Sequence, residues 1–184
     1  LDRPDGPLRV EPLSPQHERA SFDSGADALD GYLRLQAGQD SRKNIAAPFV
    51  LVLPGGIIGG YYTLSATGVA LTDLPATIAR KLPRYPLIPA TLLGRLAVGR
   101  QYQRRGNGRF LLAGALYRAA RSEIASFAVI VDAKDAAARD FYARESFLPF
   151  PDQPRRLFRP MADIARLYDE DASPDTRRPS SFNA

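Results

Sequence analysis

The spacing of apolar residues changes period several times along the chain, and each change marks an element. Behind a polar start (1–7) expected to be disordered, Leu8-Arg9-Val10-Glu11-Pro12-Leu13 alternates and reads as a first strand. Phe22-Asp23-Ser24-Gly25 leads into a helical pattern over residues 27–40. Leu29, Leu33 and Ala37 share one face there, and Ser24 or Asp27 can cap it. Residues 49–53 and 57–64 are β-rich runs around Pro54-Gly55-Gly56, a hairpin signal. Thr72-Asp73 can open a short helix ending near Leu82. The prolines at 83, 86 and 89 then exclude a helix and predict an extended surface connector. A strand over 91–98 precedes a helix over about 108–125, with Leu112, Ala115 or Leu116, Ala119 and Ile124 at helical spacing.

The remaining pattern predicts a buried strand at 128–131, a short helix at 135–144, strands at 147–150 and 156–161 joined by Pro151-Asp152-Gln153-Pro154, and a closing helix at 163–168. Together these give a single α+β domain over residues 8–168 with one central sheet, followed by a tail (169–184) expected to be disordered.

The junction of the 91–98 strand and the helix after it is the most informative stretch. Leu96-Ala97-Val98 runs into Gln103-Arg104-Arg105-Gly106-Asn107-Gly108-Arg109, and the helix starts at once. A strand feeding a glycine loop at a helix N-terminus holds anions, because the N–H groups there lack partners within the helix and the dipole favours negative charge. The loop is not a dinucleotide fingerprint, since Leu111 stands where the third glycine belongs. It is not a P-loop, since no Lys-Ser/Thr comes after it.

Composition narrows the chemistry. The 184 residues contain no cysteine and a single histidine, His17, in a polar segment. Disulfides, thiolate metal sites and a Cys nucleophile are excluded, and no metal is expected; the lack of cysteine fits a cytoplasmic protein. No apolar run is long enough to span a membrane. The net charge is +5, and Asp73 is the one acid between Ser41 and Ser122. Arg42, Lys43, Arg80, Lys81 and Arg84 are then candidate contacts for a polyanion; a general bias toward arginine is the alternative source of this charge.

Gln103-Arg-Arg-Gly106-Asn-Gly108 fits the Gln/Arg-x-x-Gly-x-Gly/Ala signature, and thereby resembles the GNAT acyl-CoA N-acyltransferases over about residues 8–165. Within them, Phe22-Asp-Ser-Gly, Gly59-Gly-Tyr-Tyr-Thr-Leu64, Leu93-Gly-Arg-Leu-Ala-Val98, Val131-Asp-Ala-Lys134, Phe141-Tyr142 and Arg156-Leu-Phe158 resemble the toxins of bacterial toxin–antitoxin pairs. The resemblance implies a central, mostly antiparallel sheet flanked by helices. It implies acetyl-CoA held by Leu96, Ala97, Val98, Gln103 to Arg109 and Phe141, and Tyr142 as general acid. It further implies aminoacyl-tRNA as acceptor, a ribbon-helix-helix antitoxin and a homodimer. Arg104 and Ser146 stand where these toxins usually have glycine, and Asp132 where histidine is common.

A phenol with an ordinary pKa of about 10 suits protonation of a departing thiolate. The alternative for Tyr142 is a core position with its hydroxyl hydrogen-bonded. No general base is evident; an α-amine esterified to tRNA is less basic than a lysine amine and is expected to arrive partly neutral and need only a water. Two other readings are an acetyltransferase acting on a protein N-terminus, a lysine or a small amine, and a non-catalytic RNA- or CoA-binding module. Tyr61, Tyr62 and Tyr85 are candidates for an apolar dimer surface.

Overall fold

The computed structural model describes residues 8–169; the expectations for 1–7 and for 170–184 lie outside them. Seven strands form one sheet in the order β1-β2-β3-β4-β5-β7-β6: β1 (Arg9–Pro12), β2 (Ala47–Val52), β3 (Ile58–Ala70), β4 (Leu87–Val98), β5 (Ala128–Asp132), β6 (Leu148–Phe150) and β7 (Gln153–Pro160). Only the β4–β5 pair is parallel, so the sheet is mostly antiparallel, as expected.

Helix α1 (Asp27–Gly31) continues through a π turn (Tyr32–Gln36) into α2 (Ala37–Arg42), and these three segments cover the single helix expected over 27–40. Neither Ser24 nor Asp27 caps it. The cap position is Ala26, and Asp30 instead accepts bonds from the Ser24 N–H (2.9 Å) and hydroxyl (2.6 Å). The other helices are α3 (Ala76–Ala79), α4 (Asn107–Ala120), α5 (Ala136–Arg144) and α6 (Met161–Asp169). Helix α4 stops before Ile124, which is 80% exposed rather than part of the apolar face.

The sheet carries helices on both faces. On one, Leu111, Leu112, Ala115, Leu116 and Ala119 of α4 pack with Tyr62, Leu93, Val129, Val131 and Leu157, and Tyr142 and Ile164 join this cluster. On the other, Leu33 and Ala37 pack with Phe22, Val50, Tyr61 and Ala97. Neighbouring strand residues face opposite ways, so Tyr61 and Tyr62 enter different clusters. Both are fully buried, which removes them from any dimer surface; Tyr85 remains exposed. Gly60 permits the close approach behind Ala97: a Cβ there would lie 2.7 Å from the Ala97 carbonyl oxygen and from Leu111.

The strand read as 91–98 begins earlier, at Leu87. The proline-rich stretch enters the sheet because proline's fixed φ is compatible with extended backbone. Pro89 pairs with Gly68, and its carbonyl accepts the Phe127 N–H at 2.8 Å. This lengthened hairpin of β3 and β4 is the spine on which the site is built.

Candidate active site

The parallel ladder between β4 and β5 is short, joining Thr91 to Val129, Leu92 to Ile130 and Leu93 to Val131 and going no further. On the other side of β4, the register with β3 jumps from Leu64–Leu93 to Thr63–Arg95, so Gly94 is an extra residue in the strand. An inserted residue bends a strand and re-aims the residues beyond it. β4 therefore parts from β5 where the bulge sits, and the β5-facing edge of residues 94–98 pairs with no strand.

Beyond Val98 the chain turns through Arg100–Tyr102 to Gly106, whose φ of 84° places it in the left-handed region at the cap of α4. The backbone N–H groups of Arg104 to Arg109 donate to no acceptor among the described residues, and the first turn of α4 contains no acid. Two side chains hold this loop. Gln103 donates to the carbonyls of Val98 (2.9 Å) and Ser24 (2.8 Å), and Asn107 donates to that of Tyr102 (2.8 Å). Arg104 and Arg105 are exposed with no carboxylate partner among the described residues, whereas Arg109 pairs with Glu145 at 2.7 Å.

Helix α5 borders the loop from the far side. Its cap is Asp135, which accepts the Ala138 N–H at 2.8 Å. Phe141 lies against Gly108 and Val98, 3.8 Å from where a Gly108 Cβ would stand. Tyr142 points further inward, 8% exposed, with its ring 5.2 Å from Phe141 and 5.4 Å from Phe147. Burial pushes its phenol well above the ordinary tyrosine value. It is a core residue, as the alternative reading has it, but its hydroxyl has no hydrogen-bond partner among the described residues.

Leu96, Ala97, Val98, Gln103, Gly108 and Phe141 line one cleft of about 240 Å³, together with Ser24, Ala26, Leu29 and Lys134. The fold thus brings six of the expected cofactor residues to a common wall. Arg104, Arg105, Gly106, Asn107 and Arg109 do not line that cleft, and neither does Tyr142. The Ser24–Leu29 wall comes from a segment some seventy residues earlier; the Phe22-Asp-Ser-Gly motif marks that segment, but nothing local places it beside the loop. The bulge at Gly94 is silent in a sequence that reads as an unbroken strand. The lining contains a cation, Lys134, and no acid.

Among the candidate polyanion contacts, Arg80 and Arg84 line a second hollow of about 680 Å³ with Tyr85, Leu71 and Leu82. Lys81 is exposed between them. Arg42 and Lys43 are exposed at the end of α2 and take no part in that hollow. A third hollow, about 540 Å³, is lined by Phe49, Tyr117, Arg118 and Arg121. Neither of the larger hollows has a loop like that before α4. Among the described residues no cluster of His, Asp and Glu could hold a metal ion, and no helix is long and apolar enough to cross a membrane.

The cleft fits an acyl-CoA. Unpartnered N–H groups at a helix N-terminus suit a pyrophosphate, an unpaired strand edge suits the amides of a pantetheine arm, and Tyr142 stands next to Phe141 of the cleft wall, the two rings 5.2 Å apart. Comparison with known proteins agrees. The profile of the acetyltransferase (GNAT) domain matches residues 88–156. A tRNA-acetylating toxin of Mycobacterium tuberculosis (strain ATCC 25618 / H37Rv) is 35% identical over 157 residues, covering 84% of this chain and 93% of that protein. The structure of AtaT complexed with acetyl-methionyl-tRNAfMet superposes with a TM-score of 0.81 at 29% identity, over 88% of this chain and 99% of that one. A tyrosine-to-phenylalanine mutant of the AtaT toxin, bound to the C-terminus of the antitoxin AtaR and acetyl-CoA, gives a TM-score of 0.74 at 26% identity, over 88% and 98%. The fold, the cleft and these likenesses lead to one assignment: the chain belongs to the GNAT family of N-acetyltransferases, in its branch of toxins.

Proposed function

We propose that this enzyme acetylates the α-amine of an amino acid esterified to tRNA, with acetyl-CoA as donor, and so blocks translation as a toxin. The observation that carries the proposal is the pairing of an acid-free cleft, walled by Phe141, with the neighbouring Tyr142, a buried residue whose hydroxyl has no hydrogen-bond partner among the described residues. The likeness to a tRNA-acetylating toxin and to AtaT complexed with acetyl-methionyl-tRNAfMet supports the acceptor.

Acetyl-CoA supplies the acetyl group as a thioester. The N–H groups of Arg104 to Arg109, at the positive end of α4, take the pyrophosphate, and Arg104 and Arg105 add charge-assisted contacts. The free edge of β4 at Leu96, Ala97 and Val98 takes the pantetheine amides, and an N–H of that edge polarises the thioester carbonyl. Phe141 closes the wall over Gly108. Tyr142 donates its proton to the departing sulfur; its raised pKa keeps that proton in place at neutral pH. An α-amine next to an ester carbonyl is less basic than a lysine amine and arrives partly neutral; the proton it loses on becoming an amide passes to water, so no side chain is needed as base.

Arg42, Lys43, Arg80, Lys81 and Arg84 hold the tRNA backbone. Such contacts position the acceptor without reading its sequence. Polyamines and other cationic amines are disfavoured by a lining that has Lys134 and no acid. A non-catalytic module would have no use for an unpartnered phenol at this place. The likeness to AtaT bound to the C-terminus of the antitoxin AtaR supports an antitoxin as partner. Its ribbon-helix-helix type, its occlusion of the site, a homodimer and a cytoplasmic location belong to the same proposal and rest on the resemblance of the sequence motifs. Labelled acetyl-CoA incubated with total aminoacyl-tRNA, with identification of the labelled amino acid, tests the acceptor; label confined to proteins or free amines would refute it.

A further inference from the structure

We propose that Arg159 is a positioning residue for the proton donor: a buried guanidinium on β7 that fixes the C-terminal end of α5 and with it the place of Tyr142. This rests on the assignment of Tyr142 as the acid.

Along β7, Leu157 packs in the cluster beneath α4 and α5, Phe158 packs on the opposite face, and Met161, just past the strand, returns to the Leu157 cluster. The period of two puts Arg159 on the face of Leu157, where an apolar side chain would be expected. It is an arginine, only 8% exposed, with no carboxylate within ion-pair distance among the described residues. Taking a guanidinium out of water is costly unless it is well held. One bond holds it: Nη1 donates to the Glu145 carbonyl at 2.9 Å, while Nε has no partner.

Glu145 is the residue that ends α5. A helix end presents unpaired carbonyls and partial negative charge, which a guanidinium complements. Glu145 is gripped from the other side as well, since its carboxylate pairs with Arg109 in the first turn of α4. The end of α5 is therefore tied through one residue to β7 and to the helix behind the phosphate-binding loop. Tyr142 sits within the same turn, its carbonyl accepting from the Glu145 N–H (3.0 Å) and the Phe147 N–H (3.1 Å). A slip of this helix end would carry the phenol with it, and a misplacement of about 1 Å can cost about a hundredfold in rate.

A cap that only stabilised the helix would leave proton donation alone, and a double-mutant cycle separates the two roles. Initial rates of acetyl transfer to charged tRNA are measured for wild type, Tyr142→Phe, Arg159→Met and the double variant, alongside thermal denaturation. Arg159→Met is expected to lower kcat by about 10- to 100-fold with KM for acetyl-CoA nearly unchanged. The double variant is expected to be no slower than Tyr142→Phe alone, because Arg159 acts through the hydroxyl. Arg159→Lys, which keeps a cation and a donor, is expected to recover most of kcat. Arg159→Gln gives a second cycle, with the same non-additivity, if the methionine variant does not fold. Losses that multiply in the double variant, or a change in KM alone, would overturn the proposal. Wild-type turnover in Tyr142→Phe would overturn the assignment of the acid, and this one with it, independently of any result at Arg159.

Discussion

The carbonyl of Tyr142 accepts the N–H of Phe147 at 3.1 Å, and the two rings lie 5.4 Å apart. With the Ser146 N–H bonded to the Ala143 carbonyl at 3.1 Å, this is a Schellman ending, in which the residue past the turn packs back on the last helical turn. Such an ending requires a left-handed residue between the two, and Ser146 has φ 64°. The motif that terminates α5 thus also packs one face of Tyr142, the proposed proton donor.

Left-handed backbone costs a side-chain-bearing residue about 1–2 kcal/mol, a cost glycine avoids while losing more entropy from the unfolded chain. Ser146→Gly is therefore expected to stabilise the fold by roughly 0.5 kcal/mol, and Ser146→Val to destabilise it by about 1 kcal/mol or more. Urea unfolding measures both, and a glycine variant less stable than wild type would contradict the reading. Arg104, at φ 58°, is under the same strain. A left-handed backbone at both positions accounts for the glycine that the toxin pattern usually carries there.

Arg109 already has an anion, the Glu145 carboxylate at 2.7 Å. A pyrophosphate at the loop must compete with it. Glu145→Gln is expected to lower KM for acetyl-CoA by about two- to fivefold, the scale of a partly exposed ion pair. Arg109→Ala should raise it. Steady-state kinetics at fixed tRNA checks both; an increased KM in Glu145→Gln would show that the pair shapes the site rather than competing for it.

The buried tyrosines set the alkaline behaviour. Desolvation raises the pKa of Tyr32 and Tyr62 to about 12, and moves Tyr61 and Tyr142 in the same direction. Each group binds its proton more tightly folded than unfolded. The stability this confers is complete below the unfolded value of about 10 and is lost as pH rises from there through the folded values. Thermal denaturation should show a Tm insensitive to tyrosine ionisation up to about pH 9.5 and a steep fall above it. For the same reason kcat should show no alkaline loss from Tyr142 below about pH 10. A drop in kcat at about pH 8–9 in the folded protein would mean that another group is the acid.

The exposed cations on α2 and around α3 predict a salt dependence. Contacts from Arg42, Lys43, Arg80, Lys81 and Arg84 release counterions, so KM for charged tRNA should rise at least about tenfold between roughly 50 and 200 mM salt. Each Arg→Ala or Lys→Ala substitution should lower the log–log slope by about one. Transfer rates indifferent to ionic strength would point to a small amine or peptide acceptor.

Much of this site is legible in the residues. The loop from Gln103 to Gly108, Phe141 and Tyr142 are recognisable because each depends on a local pattern: a strand, a glycine at a helix start, a short amphipathic helix. The same is true of the element order near the site, since β4, α4, β5 and α5 succeed one another along the chain. The features that are not legible depend on distant contacts. Pro89 reads as the end of a surface connector until its strand partner Gly68 and the bond from the Phe127 N–H to its carbonyl place it in the sheet. Tyr61 and Tyr62 read as a surface pair, but a sheet covered on both faces buries both. The bulge at Gly94, the Ser24 wall of the cleft and the tie from Arg159 to Glu145 join residues that no short window contains.

Delivery of a proton by Tyr142 during acetylation of an aminoacyl-tRNA amine is most directly tested by a single-turnover assay. Labelled acetyl transfer to charged tRNA is followed for wild type and Tyr142→Phe, with acetyl-CoA affinity determined on the same samples by calorimetry. The expected result is acetylated aminoacyl-tRNA from wild type, a rate about 10²- to 10⁴-fold lower in the variant, and unchanged acetyl-CoA affinity. Equal rates in the two proteins, or loss of acetyl-CoA binding that accounts for the whole effect, would contradict a proton-donating role for Tyr142.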